Sequence, residues 1–61
     1  MEWKTKQGKL PVGVPVLIEI NDGQYMAGFF NRTVKGFMQF TDSSGAWNIP
    51  LDNVTRFVEI T

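Results

Sequence analysis

The stretch Val16-Leu17-Ile18-Glu19-Ile20-Asn21-Asp22-Gly23-Gln24-Tyr25-Met26-Ala27-Gly28-Phe29-Phe30 decides how this chain folds. Val16, Ile18 and Ile20 alternate with Leu17, Glu19 and Asn21, a period of two rich in β-branched residues, which predicts a strand over residues 14–21 with one face buried. Asp22-Gly23 follows at once. An Asp-Gly pair between two apolar runs predicts a hairpin with a type I′ turn, whose two central residues both take positive φ. The returning run, residues 24–32, sets Met26, Gly28 and Phe30 on one face and Tyr25, Ala27 and Phe29 on the other, so both faces carry large apolar groups. One face is core, and the other asks for a partner or a ligand. Gly28 in mid-strand marks a bend or a close approach of backbone.

Working outward, residues 33–36 predict a second turn, residues 37–41 a third strand, and Asp42-Ser43-Ser44-Gly45 a third turn of strongly turn-forming composition. Residues 46–49 are the fourth strand. Pro50 has no N–H to give a ladder and ends it. Leu51, Asp52 and Asn53 make a one-turn connection to a last strand in which Val54, Arg56, Val58 and Ile60 alternate with Thr55, Phe57 and Glu59. The expected fold is all-β: a five-stranded, strongly bent antiparallel sheet forming a small barrel over residues 14–61, without a long helix. Upstream, Gly8, Pro11, Gly13 and Pro15 exclude a useful helix, and the alternation Trp3, Thr5, Gln7 predicts that residues 1–13 form an N-terminal arm or an extra edge strand.

Sixty-one residues hold one domain, which buries only about 60% of its unfolded surface. A core this small rarely supplies more than about 3–5 kcal/mol without a staple. With no Cys and no His, disulfides are impossible and the usual zinc, haem and iron–sulfur ligand sets are missing, so no metal and no cofactor is expected. Self-association is the staple left. Six basic and six acidic residues cancel, so the long-range field is weak and any nucleic-acid contact must be local. No run approaches the roughly 20 apolar residues of a membrane span, and Met1-Glu2-Trp3-Lys4 lacks the apolar run of a secretory signal. The expectation is a cytoplasmic protein with no membrane partner.

Catalysis finds almost no support. A nucleophile would fall to Ser43 or Ser44 with Asp42 as base, and three polar residues before a glycine are better explained as a turn. Glu2, Glu19, Asp22, Asp42, Asp52 and Glu59 show no acid and base spacing, and nothing resembles a phosphate-binding glycine loop. The chain reads as a non-enzyme.

The order of turns and glycines resembles the Sm-like family, which includes the Lsm proteins and the bacterial Hfq proteins, from about Val14 to Ile60. Residues 16–23 resemble its first strand and turn, and Gly28 falls at its bend glycine with Phe30 two places on. Gly36-Phe37-Met38-Gln39 resembles the family's third-strand motif, and Ile49-Pro50-Leu51-Asp52-Asn53-Val54 resembles its second motif, usually written I-R-G-x-N-V. Departures concentrate where the family binds RNA: the Asp before the aromatic is missing, Gln39 replaces Asn, the preceding turn looks one residue longer, and Pro50-Leu51 replace Arg-Gly. The family's N-terminal helix is also missing.

The resemblance implies an SH3-like small barrel and a homo-oligomeric ring in which strand four of one subunit pairs with strand five of the next. It also implies single-stranded RNA around the pore, with a base stacked on Phe37, its edge read by Gln39, and Asn53 holding the neighbouring position. The bland alternatives are a core Phe37, a surface Gln39 and a turn-forming Asn53. Arg32 and Lys35 flank the second turn and would add a basic rim. Lys4, Lys6 and Lys9 beside Trp3 are either a phosphate-contacting arm or a solvated tail. For the subunit interface the candidates are Tyr25, Phe29, Trp47, Ile49, Val54, Arg56 and Val58, with core placement equally open for Trp47 and Tyr25. A second reading, from a different class, is an SH3-like interaction or structural module whose Tyr25, Phe29 and Trp47 meet a protein partner or sister subunits without RNA. Neutral charge and the missing Arg-Gly favour that second reading.

Overall fold

A computed structural model describes residues 2–6 and 8–60; Met1, Gln7 and Thr61 lie outside the described residues. The chain is all-β, with strands β1 (Pro15–Ile20), β2 (Tyr25–Arg32), β3 (Met38–Asp42), β4 (Asn48–Pro50) and β5 (Val54–Glu59), and a 3₁₀ turn Leu51–Asn53 between the last two. All five join one antiparallel sheet in the order β4-β3-β2-β1-β5. Among the described residues no helix is long and apolar enough to cross a membrane.

The period of two in β1 and β2 sets the core. Val16, Ile18 and Phe30 are completely buried, whereas Tyr25, Ala27 and Phe29 face outward along β2 and are exposed. Phe40 of β3 and Val54 and Phe57 of β5 complete the cluster. Phe30 meets Phe40 edge-to-face at 6.0 Å and Phe57 at 5.2 Å, the offset geometry that aromatic quadrupoles favour. Because β1 lies between β2 and β5, the Phe30–Phe57 contact requires a sheet curled toward its inner face. Gly28 is where β2 and β3 close: a Cβ there would stand 2.1 Å from the Thr41 carbonyl oxygen.

The first hairpin departs from the type I′ expectation. Gly23 alone in its turn has positive φ, at 89°, and no described non-glycine residue does. The Gly23 N–H donates to the Ile20 carbonyl and the Ile20 N–H to the Gln24 carbonyl, both at 2.9 Å. Those bonds define a three-residue loop, a turn with negative φ followed by a left-handed glycine. The physical reason is Asn21, which leaves the β1 ladder: its N–H donates to the Asn53 carbonyl and its side-chain amide to the Asp52 carbonyl, both at 2.9 Å.

Strand β5 also departs from simple alternation. Glu19 pairs with Arg56 but Ile20 pairs with Val54, so Thr55 is an extra residue in a bulge. The bulge resets the facing, and Val54 and Phe57 both enter the core. Upstream, the N-terminal arm adds to the free edge of β5. Lys4 exchanges two backbone bonds with Phe57, at 2.7 and 2.9 Å, and Leu10 packs against the core.

Candidate functional site

Phe37 ends the β2–β3 turn and is 69% exposed. Its backbone is nonetheless pinned, since its N–H donates to the Thr33 hydroxyl at 3.1 Å and its carbonyl accepts from the Thr33 N–H at 2.7 Å. An aromatic ring in solvent on a fixed backbone costs little entropy to present to a ligand. Phe37 lines a cleft of about 320 Å³ with Met38, Pro50, Leu51 and Asp52.

Met38 and Leu51 also floor a second groove, of about 240 Å³, where Lys6, Lys9 and Arg32 stand beside Leu10 and Val12. The two depressions therefore share a wall. Lys6 donates from Nζ to the Leu51 carbonyl at 3.0 Å, and Arg32 donates from Nη1 to the Gly36 carbonyl at 3.2 Å. Both cations are held at the seam between the N-terminal arm and the end of the sheet. Lys35 is exposed on the turn and lines neither depression.

Of the three residues that the resemblance assigns to RNA, Phe37 alone lines the cleft. Gln39 donates its amide to Asn31 Oδ1 at 2.8 Å, Asn31 donates to the Thr41 hydroxyl at 2.8 Å, and that hydroxyl donates to Asn48 Oδ1 at 2.8 Å. This side-chain chain crosses β2, β3 and β4 and occupies one of the two Gln39 amide N–H groups. Asn53 is exposed, but its carbonyl accepts the Asn21 N–H, which ties it to the first turn. The core alternative for Phe37 does not hold, because the inward position on β3 belongs to Phe40.

The interface candidates also sort by burial. Val54, at 0%, and Val58, at 4% exposure, are spent inside the chain's own fold and offer no side chain to a second subunit. The Thr55 bulge puts Val54 there, and Val58 lies on the other face of β5, opposite Leu17. Ile49 is half-buried against the core. Arg56 pairs with Glu19 and lies 4.4 Å over the Trp3 ring, which in turn sits 5.9 Å from Tyr25. The hydrogen bond that Arg56 Nε donates to Glu19 Oε1 raises the Arg56 pKa above its already high value. Trp47, 62% exposed, precedes β4 instead of lying in it; its N–H donates to Asp42 Oδ1 at 3.0 Å. Phe29 is exposed beside Tyr25 and Ala27 on the outer face of β2.

Asp42 caps the third turn. Ser44 donates its hydroxyl to Asp42 Oδ2 at 2.7 Å, and with the backbone N–H of Trp47 this holds the carboxyl below its ordinary value. That geometry makes Ser44 a turn-stabilising donor. Among the described residues no three His, Cys, Asp or Glu side chains gather as a metal site.

What sequence reasoning missed is the floor of the site, Met38, Pro50 and Leu51, and the meeting of Lys6 and Lys9 with Arg32. Only the path of the arm past the end of the sheet joins residues so far apart in the chain. Comparison with protein-family models, curated proteins and solved structures finds no match.

Proposed function

We propose that this chain is a binding module that takes a segment of single-stranded nucleic acid, RNA in the first instance, at the end of the sheet marked by Phe37. The observation that carries the reading is a pinned, exposed aromatic on a cleft that shares Met38 and Leu51 with a groove gathering Lys6, Lys9 and Arg32, three of the chain's six basic residues. Stacked bases on aromatic rings with nearby cations are how single strands are held without a large basic surface. A net charge of zero is compatible with this reading because the cations are concentrated locally.

The site is complete within one chain, so the reading does not need a ring. A ring joined through β4 and β5 would have to use the edge where Lys4 already pairs with Phe57. The test is fluorescence anisotropy with a short labelled oligouridylate. Phe37→Ala is expected to weaken binding by about 1–3 kcal/mol, roughly 5- to 150-fold, the worth of one stacked base, with no loss of thermal stability. Unchanged affinity in that variant, or no binding by the native chain, would reject the proposal.

A second reading rests on a separate observation. Tyr25, Ala27 and Phe29 form an outward apolar row on the central strand, beside Leu17 and Pro15 of β1. Such a face suits a protein partner or a sister subunit. Salt-insensitive association abolished by Tyr25→Ala with Phe29→Ala would support it.

A further inference from the structure

Resting on the nucleic-acid reading, we infer that the N-terminal arm supplies the phosphate-binding half of the site: Lys6 and Lys9, together with Arg32, take the phosphates of a strand whose base lies on Phe37. The two depressions differ in charge. Among the described residues the groove holds three cations and no carboxylate lines it, whereas Asp52 lines the Phe37 cleft. Three like charges on one small groove repel one another unless an anion joins them. Asp52 repels phosphate from the other end and can accept a hydrogen bond from a base edge. A strand laid across the shared wall of Met38 and Leu51 therefore has one polarity, base toward Phe37 and Asp52, phosphates toward the arm.

The cations are also positioned for it. Lys6 is tethered through Nζ to the Leu51 carbonyl, and Arg32 through Nη1 to the Gly36 carbonyl. These bonds leave further N–H groups on each for an anion. Lys9 is exposed, and among the described residues its side chain makes no hydrogen bond. The arm thus has two tasks at two places: Lys4 covers the β5 edge, and the stretch after it carries charge to the site.

The experiment is the salt dependence of oligouridylate binding by the intact chain. Single strands lose affinity with a slope of about −0.7 per phosphate contact, so three contacts predict about an 18-fold loss between about 50 and 200 mM salt. In Lys9→Gln the loss should shrink to about 7-fold, and in Lys9→Gln with Arg32→Gln to about 3-fold. Phe37→Ala should lower affinity and leave the salt slope alone. Binding that depends on Phe37 with an unaltered slope in both charge variants overturns the inference and keeps the site. Failure of the native chain to bind at all overturns the nucleic-acid reading itself. Lys9→Gln changes one solvent-exposed side chain, so its slope is readable even where the double variant is less stable.

Discussion

Gly28→Ala should be among the most damaging single-methyl changes this chain can suffer. Gly28 is buried and does not need positive φ, so the substitution tests space alone. The added Cβ would stand 2.1 Å from the Thr41 carbonyl oxygen, 2.7 Å from Asp42 Cα and 2.7 Å from Phe40 Cζ. Two of those atoms are backbone of the paired strand, which must retreat by roughly 1 Å to reach ordinary contact. Retreat opens the β2–β3 ladder at Gly28 and Asp42 and loosens Phe30 against Phe40. Overpacking of this kind costs about 1–3 kcal/mol, and a backbone obstacle puts the change at the upper end, about 3 kcal/mol. Set against a whole-domain stability of about 3–5 kcal/mol, that brings the fold near its midpoint. At about 4–8 °C per kcal/mol, Tm should fall by about 12–24 °C. Urea denaturation followed by circular dichroism and tryptophan fluorescence reads the loss. Gly23→Ala is the counterpart, with a left-handed φ of 89° but no atom within 4 Å of the new Cβ, and should cost about 1–2 kcal/mol. A Gly28→Ala variant within about 0.5 kcal/mol of the native chain, the usual range of harmless surface changes, would refute the steric reasoning, as would Gly23→Ala being the worse of the two.

Two further outcomes follow from the edge and from the third turn. Lys4→Pro removes the N–H that bonds Phe57 and should cost about 0.5–1.5 kcal/mol. It also uncovers the β5 edge, so light scattering should show a larger mass than for the native chain; an unchanged mass would mean that the edge is protected by something else. Asp42 has a carboxyl held below the ordinary 3.8, first by Ser44 and then by the Trp47 N–H. A depressed folded pKa adds stability above the unfolded value and loses it as pH falls through the folded one. The difference in urea midpoint between the native chain and Asp42→Asn should therefore be full near neutral pH and close in strong acid. A difference constant with pH would contradict this.

Alternation made most of the fold legible. Val16 and Ile18 show their buried face in the sequence because Glu19 and Asn21 mark the other side of β1, whereas both faces of β2 carry large apolar groups and only the structure shows that Phe30 lies inside. Alternation failed at β5, where the Thr55 bulge admits Val54 and Phe57 together, since nothing in the composition of that strand announces an extra residue. The first turn was placed correctly by Asp22-Gly23, but its type is set by Asn21, whose long-range bonds to Asp52 and Asn53 no local rule contains. At the site, Phe37 was named through the resemblance of Gly36-Phe37-Met38-Gln39 to a third-strand motif. The side-chain chain that Gln39 enters through Asn31, and that runs on to Thr41 and Asn48, was not legible because it draws on three strands. Lys6 and Lys9 could be named as cations, but their meeting with Arg32 is a property of how the arm crosses the end of the sheet.

The central claim is the location of a nucleic-acid site, and amide chemical-shift mapping during titration with a short oligouridylate tests it most directly. Shifts should be confined to Lys6, Gly8, Lys9 and Leu10 of the arm, Arg32, the turn through Phe37 and Met38, and Leu51 and Asp52. Shifts running along Tyr25, Ala27 and Phe29 instead, or no shifts at all, would contradict it.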